Sequence, residues 1–317
     1  MKKTIFKTLL FFLLLLATAC NKQNEKITVI VPNGTPTMAF GKFLENADYE
    51  YCQIDVVLGA DPLTAAFTSL SHDIIVAPIN LGAKLYMNKN SEYKLYAILT
   101  SGNSYLITNK NNKLDSITDL LNKEILAYGQ NNIPGIVLSY CLDKANVNAN
   151  ITYEPSIDAV TAKFLANLTN KDAKYEYVLT AEPSLSIIEE KYQEVKVLDL
   201  QKEFTKHTNF SIIPQAAIFI NPNSKNLKQV LTFLKKLEDN VKYLNEKPKE
   251  YAEILANKTQ FSNMGKTILE KSIPRSNIVF YQGKENKQIV DAYFAVLNEY
   301  NPNILGNKLP SEDFYYE

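Results

Sequence analysis

The chain has no tryptophan, two histidines, three cysteines and, at Arg275, a single arginine in 317 residues. Each shortage removes a class of chemistry. His72 and His207 stand alone and no Cys-x-x-Cys pair occurs, so the pattern offers no zinc cluster and no metal is expected. Cys52 and Cys141 lie far apart and read as free thiols rather than a disulfide framework. One arginine leaves one side chain able to grip an anion with a planar fork. Without tryptophan, stacking on a ring falls to tyrosine or phenylalanine, with Tyr86, Tyr105 and Tyr128 as candidates. No stripe of basic residues appears, which argues against a nucleic-acid partner. Gly-x-Ser-x-Gly, His-Glu-x-x-His and the phosphate-binding glycine loop are all missing, and no nucleophile–base set is visible, so no catalysis and no cofactor are expected.

What is present begins at the N-terminus. Lys2, Lys3 and Lys7 precede the apolar run Leu9–Leu16, and Ala17-Thr18-Ala19-Cys20 follows. That order is a secretory signal, and its apolar run is far short of the roughly 20 residues of a membrane-spanning helix. Ala17–Cys20 resembles the bacterial lipobox. The expectation is a signal peptide over 1–19, a lipidated Cys20 carrying palmitate-type chains, and a polar tether over 20–26. Such a protein sits outside the cytoplasm, held to the membrane by its lipid, since each buried CH₂ contributes about 0.8 kcal/mol. Removing residues 1–19 takes three lysines and no acid, leaving 31 basic against 34 acidic residues, a formal charge of −3.

The rest alternates strand and helix. Apolar runs at Ile27–Val31, Tyr51–Leu58, Asp73–Ala77, Tyr93–Thr100 and Ser104–Thr108 read as strands, with helices over Thr37–Asn46, from Asp61-Pro62, and over Leu81–Met87. A second set follows: strands at Glu124–Tyr128, Ile151–Glu154, Tyr175–Thr180 and Val195–Leu198, with helices to about Lys144, over Asp158–Leu168 and to about Lys191. Gln215–Ile220 reads as a return strand, and the chain then becomes mostly helical. The expected class is α/β, with mainly parallel pairing. Hydrophobic residues make up 46%, enough for a large core, and length suggests two domains.

Polar turns recur where strands give way to helices: Pro32–Pro36, Pro78–Asn80, Tyr128–Asn132 and Thr180–Pro183. In open sheets ligands lie beyond such strand ends, where helix starts offer free N–H groups. Helix capping alone also explains the Thr, Asn and Asp content there.

At these residues the chain resembles the substrate-binding lipoproteins of bacterial ABC importers, of the nitrate/taurine/sulfonate and thiamine-precursor type. The resemblance is carried by VPNGTPTMAF, DIIVAPINLGAKLY, YKLYAILTSGNSYLI, YVLTAEPSLS, VLDLQKEF with IIPQAAIFIN, and LGNKLPSEDFYY. It implies a type II periplasmic-binding-protein fold, with two αβ lobes and a ligand cleft between them. Lobe 1 would be 27–106 plus 212–317 and lobe 2 would be 107–211, hinging near Ser104–Thr108 and Phe210–Gln215. It implies a small-molecule solute and ABC permease subunits as partners, and a monomer.

Carried onto this chain, the cleft set is Asn33, Gly34, Thr35, Pro36, Thr37, Pro78, Asn80, Gly102, Asn103, Tyr105, Tyr128, Gln130, Asn132, Pro134, Glu182 and Gln215. These turns hold no basic residue, so a neutral or weakly cationic heterocycle or amide, such as a vitamin precursor, is favoured over an inorganic oxyanion. Glu182 would accept from a ligand nitrogen or cap its helix. Arg275 would reach the cleft or cap a helix at the surface. The alternative function is a surface lipoprotein acting as adhesin or scaffold without a small-molecule ligand.

Overall fold

The computed structural model describes residues 26–168, 175–192, 194–208 and 210–317. The expected signal peptide, Cys20 and all of the tether but Lys26 lie outside the described residues.

β1 (Ile27–Pro32), α1 (Thr35–Met38), β2 (Cys52–Val57), α2 (Asp61–Ser69), β3 (Ile74–Pro78), α3 (Ile79–Met87) and β4 (Lys94–Thr100) come first. The chain then crosses into β5 (Ser104–Asn109), β6 (Glu124–Tyr128), α4 (Ile133–Lys144), β7 (Asn150–Glu154), α5 (Ile157–Leu168), β8 (Tyr177–Ala181), α6 (Ser184–Lys191), β9 (Val195–Asp199) and α7 (Leu200–Thr205). It returns through β10 (Ala216–Ile220) to α8 (Leu227–Glu246), α9 (Pro248–Ala256), α10 (Gly265–Arg275), β11 (Ile278–Gln282) and α11 (Lys287–Tyr300). The strands form two sheets, ordered β11-β4-β10-β3-β1-β2 and β7-β6-β8-β5-β9. Each sheet with its helices is called a lobe below.

The pairing is mixed, not mainly parallel. β1 runs parallel to β2 and β3, and β6 parallel to β7 and β8. β10 is antiparallel to β3 and β4, β11 to β4, and β5 to β8 and β9. The reason lies in how the odd strands arrive. Parallel neighbours need a crossover helix. β5 and β10 enter their sheets directly from the other lobe, and β11 follows a helix from the far end of the first.

β5 is also bonded to a strand on each side, so it cannot absorb a hinge rotation without breaking ladder bonds. The crossing falls instead on Ser101-Gly102-Asn103, with Phe210–Gln215 as the return. Ser101 N–H donates to the Asn277 carbonyl at 2.9 Å and Gln215 N–H to the Thr100 carbonyl at 3.0 Å, which ties the two crossings to the first sheet.

The helix expected over Thr37–Asn46 is a single turn, α1, followed by turns. Gly41 packs so closely under α9 that an added Cβ would lie 2.5 Å from Leu255 Cδ2, and Glu45 takes a left-handed φ of 50°. Tertiary packing overrides the helical spacing of Met38, Phe40, Phe43 and Leu44, all of which are buried.

Core strands such as β3 are buried on both faces, as their unbroken apolar sequence requires. α8 buries Val230, Phe233, Leu234, Leu237, Val241 and Leu244 as one stripe. Asn240 interrupts that stripe but is held: its Nδ2 donates to the Ala39 carbonyl and to Tyr251 Oη, each at 2.7 Å.

The lobes also meet along an aromatic seam. α11 packs on α4. Phe204, fully buried, lies 4.6 Å from the Tyr140 ring, 5.9 Å from Phe210 and 6.2 Å from Tyr293, and Tyr140 lies 5.8 Å from Tyr300. Rings at these separations favour edge-on or offset contact beyond their area burial. Cys141 lies fully buried beside this seam and Cys52 is half-buried; both are free thiols. Among the described residues no helix is long and apolar enough to cross a membrane.

Candidate functional site

The carboxyl ends of β1, β3 and β8 converge on the crossing at Ser101–Asn103. Thr35, buried in the one-turn α1, sits at the meeting point. Asn103 Nδ2 donates to Thr35 Oγ1 at 3.0 Å, and Thr35 Oγ1 donates to the Glu182 carbonyl at 3.1 Å. One hydroxyl therefore links first lobe, crossing and second lobe. Gln215 Oε1 accepts from Asn103 N–H at 3.2 Å, and the Gln215 carbonyl accepts from Ile79 N–H at 2.9 Å. Tyr105, on the crossing side of β5, donates its hydroxyl to the Arg275 carbonyl at 2.7 Å. Burial drives the Tyr105 phenol well above its ordinary value.

Glu182 is 4% exposed. Its Oε2 accepts from Ser186 N–H at 3.2 Å, inside the first turn of α6, which makes it a helix-capping carboxylate. Its Oε1 lies 2.6 Å from Arg275 Nε, yet neither atom makes a well-directed hydrogen bond. The two charges touch without aligning. Burial raises the Glu182 carboxyl to about 7, although the Arg275 charge and the Ser186 donors pull it back. For Arg275 the balance runs the other way. Burial lowers it, but hydrogen bonds to Glu189 and the charges of Glu182 and Glu189 outweigh that and hold it above the ordinary arginine value. The two outcomes differ because the Glu182 side chain is wholly buried while 28% of the Arg275 side chain meets water.

The expected cleft set divides into three groups. Thr35, Asn103, Tyr105, Glu182 and Gln215 form the network just described. Asn80 is buried and its side chain makes no hydrogen bond among the described residues, while Tyr128, half-buried at the end of β6, faces Ser104 and has its phenol raised by burial to about 12.

A second group serves the backbone. Thr37 Oγ1 donates to the Pro32 carbonyl at 2.8 Å, and Pro36, Pro78 and Pro134 open or cap helices. Gly102 is packed, since a Cβ there would lie 3.2 Å from Ile213 Cβ. Gly34 has φ 111° and ψ −144°, a conformation L side chains avoid, and a Cβ there would meet nothing within 4 Å. The third group, Asn33, Gln130 and Asn132, is exposed on turns at the strand ends.

The sequence did not single out Ser186, Glu189 or the Ser101–Gln201 side-chain contact as parts of this junction. Nor does Arg275 sit at the surface as a simple helix cap. The only available signal was the i, i+3 spacing of Ser186 and Glu189 on α6, below a carboxylate at 182. A groove of about 710 Å³, lined by Tyr86, Lys89, Glu92, Lys94, Asn223 and Ser311 among others, lies at the opposite end of β4 and β10 and shares none of these residues. Among the described residues no cluster of His, Cys, Asp and Glu could hold a metal.

Of nine buried side-chain polar atoms without a hydrogen-bond partner among the described residues, four belong to this junction, but two of them, Glu182 Oε1 and Arg275 Nε, face each other as an ion pair, which leaves Asn103 Oδ1 and Thr180 Oγ1 unmatched. Thr180 pairs with Tyr105 across β5 and β8. Each such group costs about 1–3 kcal/mol when left unmatched. The amide oxygen accepts and the hydroxyl can accept or donate, so the two together suit a molecule that offers a hydrogen-bond donor.

No protein-family model and no curated protein matches the chain. Solved structures do. An ABC transporter protein from Parabacteroides distasonis superposes with a TM-score of 0.78 at 24% identity, covering 92% of this chain and 99% of that one. The periplasmic aliphatic sulphonate-binding protein SsuA from Escherichia coli gives 0.69 at 11% identity, covering 92% of both. A Candida albicans protein described as having the generic periplasmic binding protein structural fold gives 0.53 at 14% identity, covering 91% of this chain and 92% of that one. The chain has the periplasmic-binding-protein fold: two αβ lobes around a junction of strand ends.

Proposed function

We propose that this protein captures a small solute between its lobes, outside the cytoplasm, and delivers it to the permease of an ABC importer. The observation that carries the reading is the pair of buried polar atoms at the junction of the lobes, Asn103 Oδ1 and Thr180 Oγ1, that have no partner among the described residues. Buried polar groups are nearly always matched, and two exceptions where the lobes meet mark a place where a polar molecule belongs. The importer context is supported by fold neighbours called an ABC transporter and a sulphonate-binding protein.

The solute favoured is a small polar heterocycle or amide bearing N–H groups, of the vitamin-precursor kind. Asn103 Oδ1 and Thr180 Oγ1 are acceptors for it, and Asn80 is free to bind it from the first lobe. An inorganic oxyanion or sulfonate fits less well. Arg275, the sole arginine, already serves two carboxylates, and a free anion would have to displace one of them. The division of the chain proposed, 27–106 with 212–317 against 107–211, has its first boundary moved to the crossing before Ser104, since all of β5 lies in the second sheet. The crossing at Ser101–Asn103 is its pivot, and a lipid on Cys20 anchors the molecule. A solute touching both lobes favours the closed arrangement over the open one; a solute touching one lobe equally in both shifts nothing.

A thermal-shift panel of vitamins and their precursors, amides, amino acids, sulfonates and inorganic oxyanions tests this. A true ligand at about 100-fold over its dissociation constant stabilises by about 2.7 kcal/mol, and Asn103→Ala should erase that shift. A shift produced by oxyanions alone would overturn the ligand class. No shift from any class would favour an adhesin or scaffold.

A further inference from the structure

The contacts of Arg275 form a seam between the lobes rather than part of the cleft wall. α10 belongs to the first lobe and packs across the boundary on α6 of the second. Arg275 Nη1 donates to Glu189 Oε1 at 3.0 Å, and Nη2 to Glu189 Oε2 at 2.7 Å and to Ser186 Oγ at 2.9 Å. Its Nε lies 2.6 Å from Glu182 Oε1. One turn earlier Lys271 Nζ lies 2.7 Å from Glu190 Oε2. Both cations are on the first lobe and all three carboxylates are on the second, so each attraction acts across the boundary. The two-pronged contact with Glu189 is the strong form of such a pair.

We propose that Arg275 is an interlobe clasp that holds α10 to α6 in the closed arrangement, with Glu182 as the jaw whose charge sets the grip. Arg275 is then a positioning residue. It fixes the separation of the two cleft walls and need not touch solute.

Glu182 is faced by Arg275 from α10, Thr35 from α1, Tyr105 from β5, and Ser186 and Glu189 from its own segment, while Asp199 at the end of β9 acts on Tyr105. Opening the lobes would return its carboxyl to water. Its closed value of about 7, against an ordinary 4.5, means that closing takes up a proton between those limits. For an acid raised by burial, the ionised form opposes closure fully above that upper limit and not at all below the lower one. Arg275 is the counter-charge that keeps the lobes together when Glu182 is ionised.

Single-molecule energy transfer on the full chain in detergent, unfolded and refolded to strip any solute, tests this, so its outcome is separate from that of the solute-binding reading. Dyes are attached through azido side chains introduced at Leu58 and Gln130, exposed residues following β2 and β6. Wild type should show mainly the short-distance population at pH 8 in low salt. Arg275→Gln should lose most of that population at pH 8 and regain it as pH falls toward 5.5, where protonated Glu182 needs no counter-charge. Arg275→Lys should fall between. Glu182→Gln should stay closed and lose the pH response.

A merely structural arginine would give no acid recovery, so an Arg275→Gln distribution that is unchanged, or shifted equally at both pH values, overturns the proposal. Should Arg275→Gln not fold by circular dichroism, Glu189→Gln carries the test. It removes the fork's partner and should open a several-fold larger fraction at pH 8, and no change there also overturns the clasp.

Discussion

Two seams join the lobes, and they are built from opposite chemistry. On one, Phe204, Tyr140, Tyr293, Phe210 and Tyr300 interlock between α11, α4 and α7. On the other, Arg275 and Lys271 of α10 meet Glu182, Glu189 and Glu190 around α6. The aromatic seam is held by apolar burial, which has no preferred direction and cannot be exchanged for water at low cost. The ionic seam is held by charges that water, salt or protons can replace. If the lobes open and close on a solute as proposed, one edge must stay shut and another let go. On the proposed reading, with the lobes turning about the Ser101–Asn103 crossing, the aromatic seam is the one that stays shut and the ionic seam the one that can release.

Substitutions that weaken one seam at a time sharpen this contrast. The largest effect is expected from Phe204→Ala. It empties a fully buried ring site, should cost about 3–5 kcal/mol of global stability, and should lower the denaturant midpoint of the whole chain. Arg275→Gln follows. It leaves Glu182 buried without a counter-charge but Glu189 partly solvated, so about 2 kcal/mol is expected, measured by the same titration and larger at pH 8 than at pH 5.5.

Glu182→Gln should change stability according to pH. In the wild type the raised carboxyl weakens the folded state as pH climbs from about 4.5 to about 7, and a scan of the melting midpoint should show that slope vanish in the variant. The smallest effect belongs to Lys271→Ala. Both members of its pair are more than 40% exposed, so a loss below about 1 kcal/mol, suppressed by added salt, is expected in melting experiments. Should Lys271→Ala rival Phe204→Ala, the contrast between the seams would fail.

The sequence showed the lobes more clearly than the seams. Alternating apolar runs and polar turns located β1 to β10 within a few residues, because a buried strand must be apolar and its exit must be polar. It did not show β11, whose Ile-Val-Phe-Tyr-Gln run is too short to separate from the helices around it, nor α7, which follows β9 with no turn residues between. Strand direction was misread because antiparallel partners such as β10 and β4 meet through the fold, not through neighbouring sequence.

Thr35, Asn103 and Glu182 were legible as turn residues, since their type and place suit strand ends. Their joining by one hydroxyl was not legible, for it depends on how two lobes face each other. Arg275 was visible only as a rarity. Its partners lie about 90 residues earlier, and no local spacing connects the two helices.

Native mass spectrometry tests the central claim most directly. The full chain would be released from detergent as purified, again after unfolding and refolding, and again after exposure to a small-molecule extract of cells. Capture of a solute between the lobes predicts one small mass per chain, lost on unfolding and regained from the extract. A chain that carries nothing as purified and takes up nothing from the extract would contradict it.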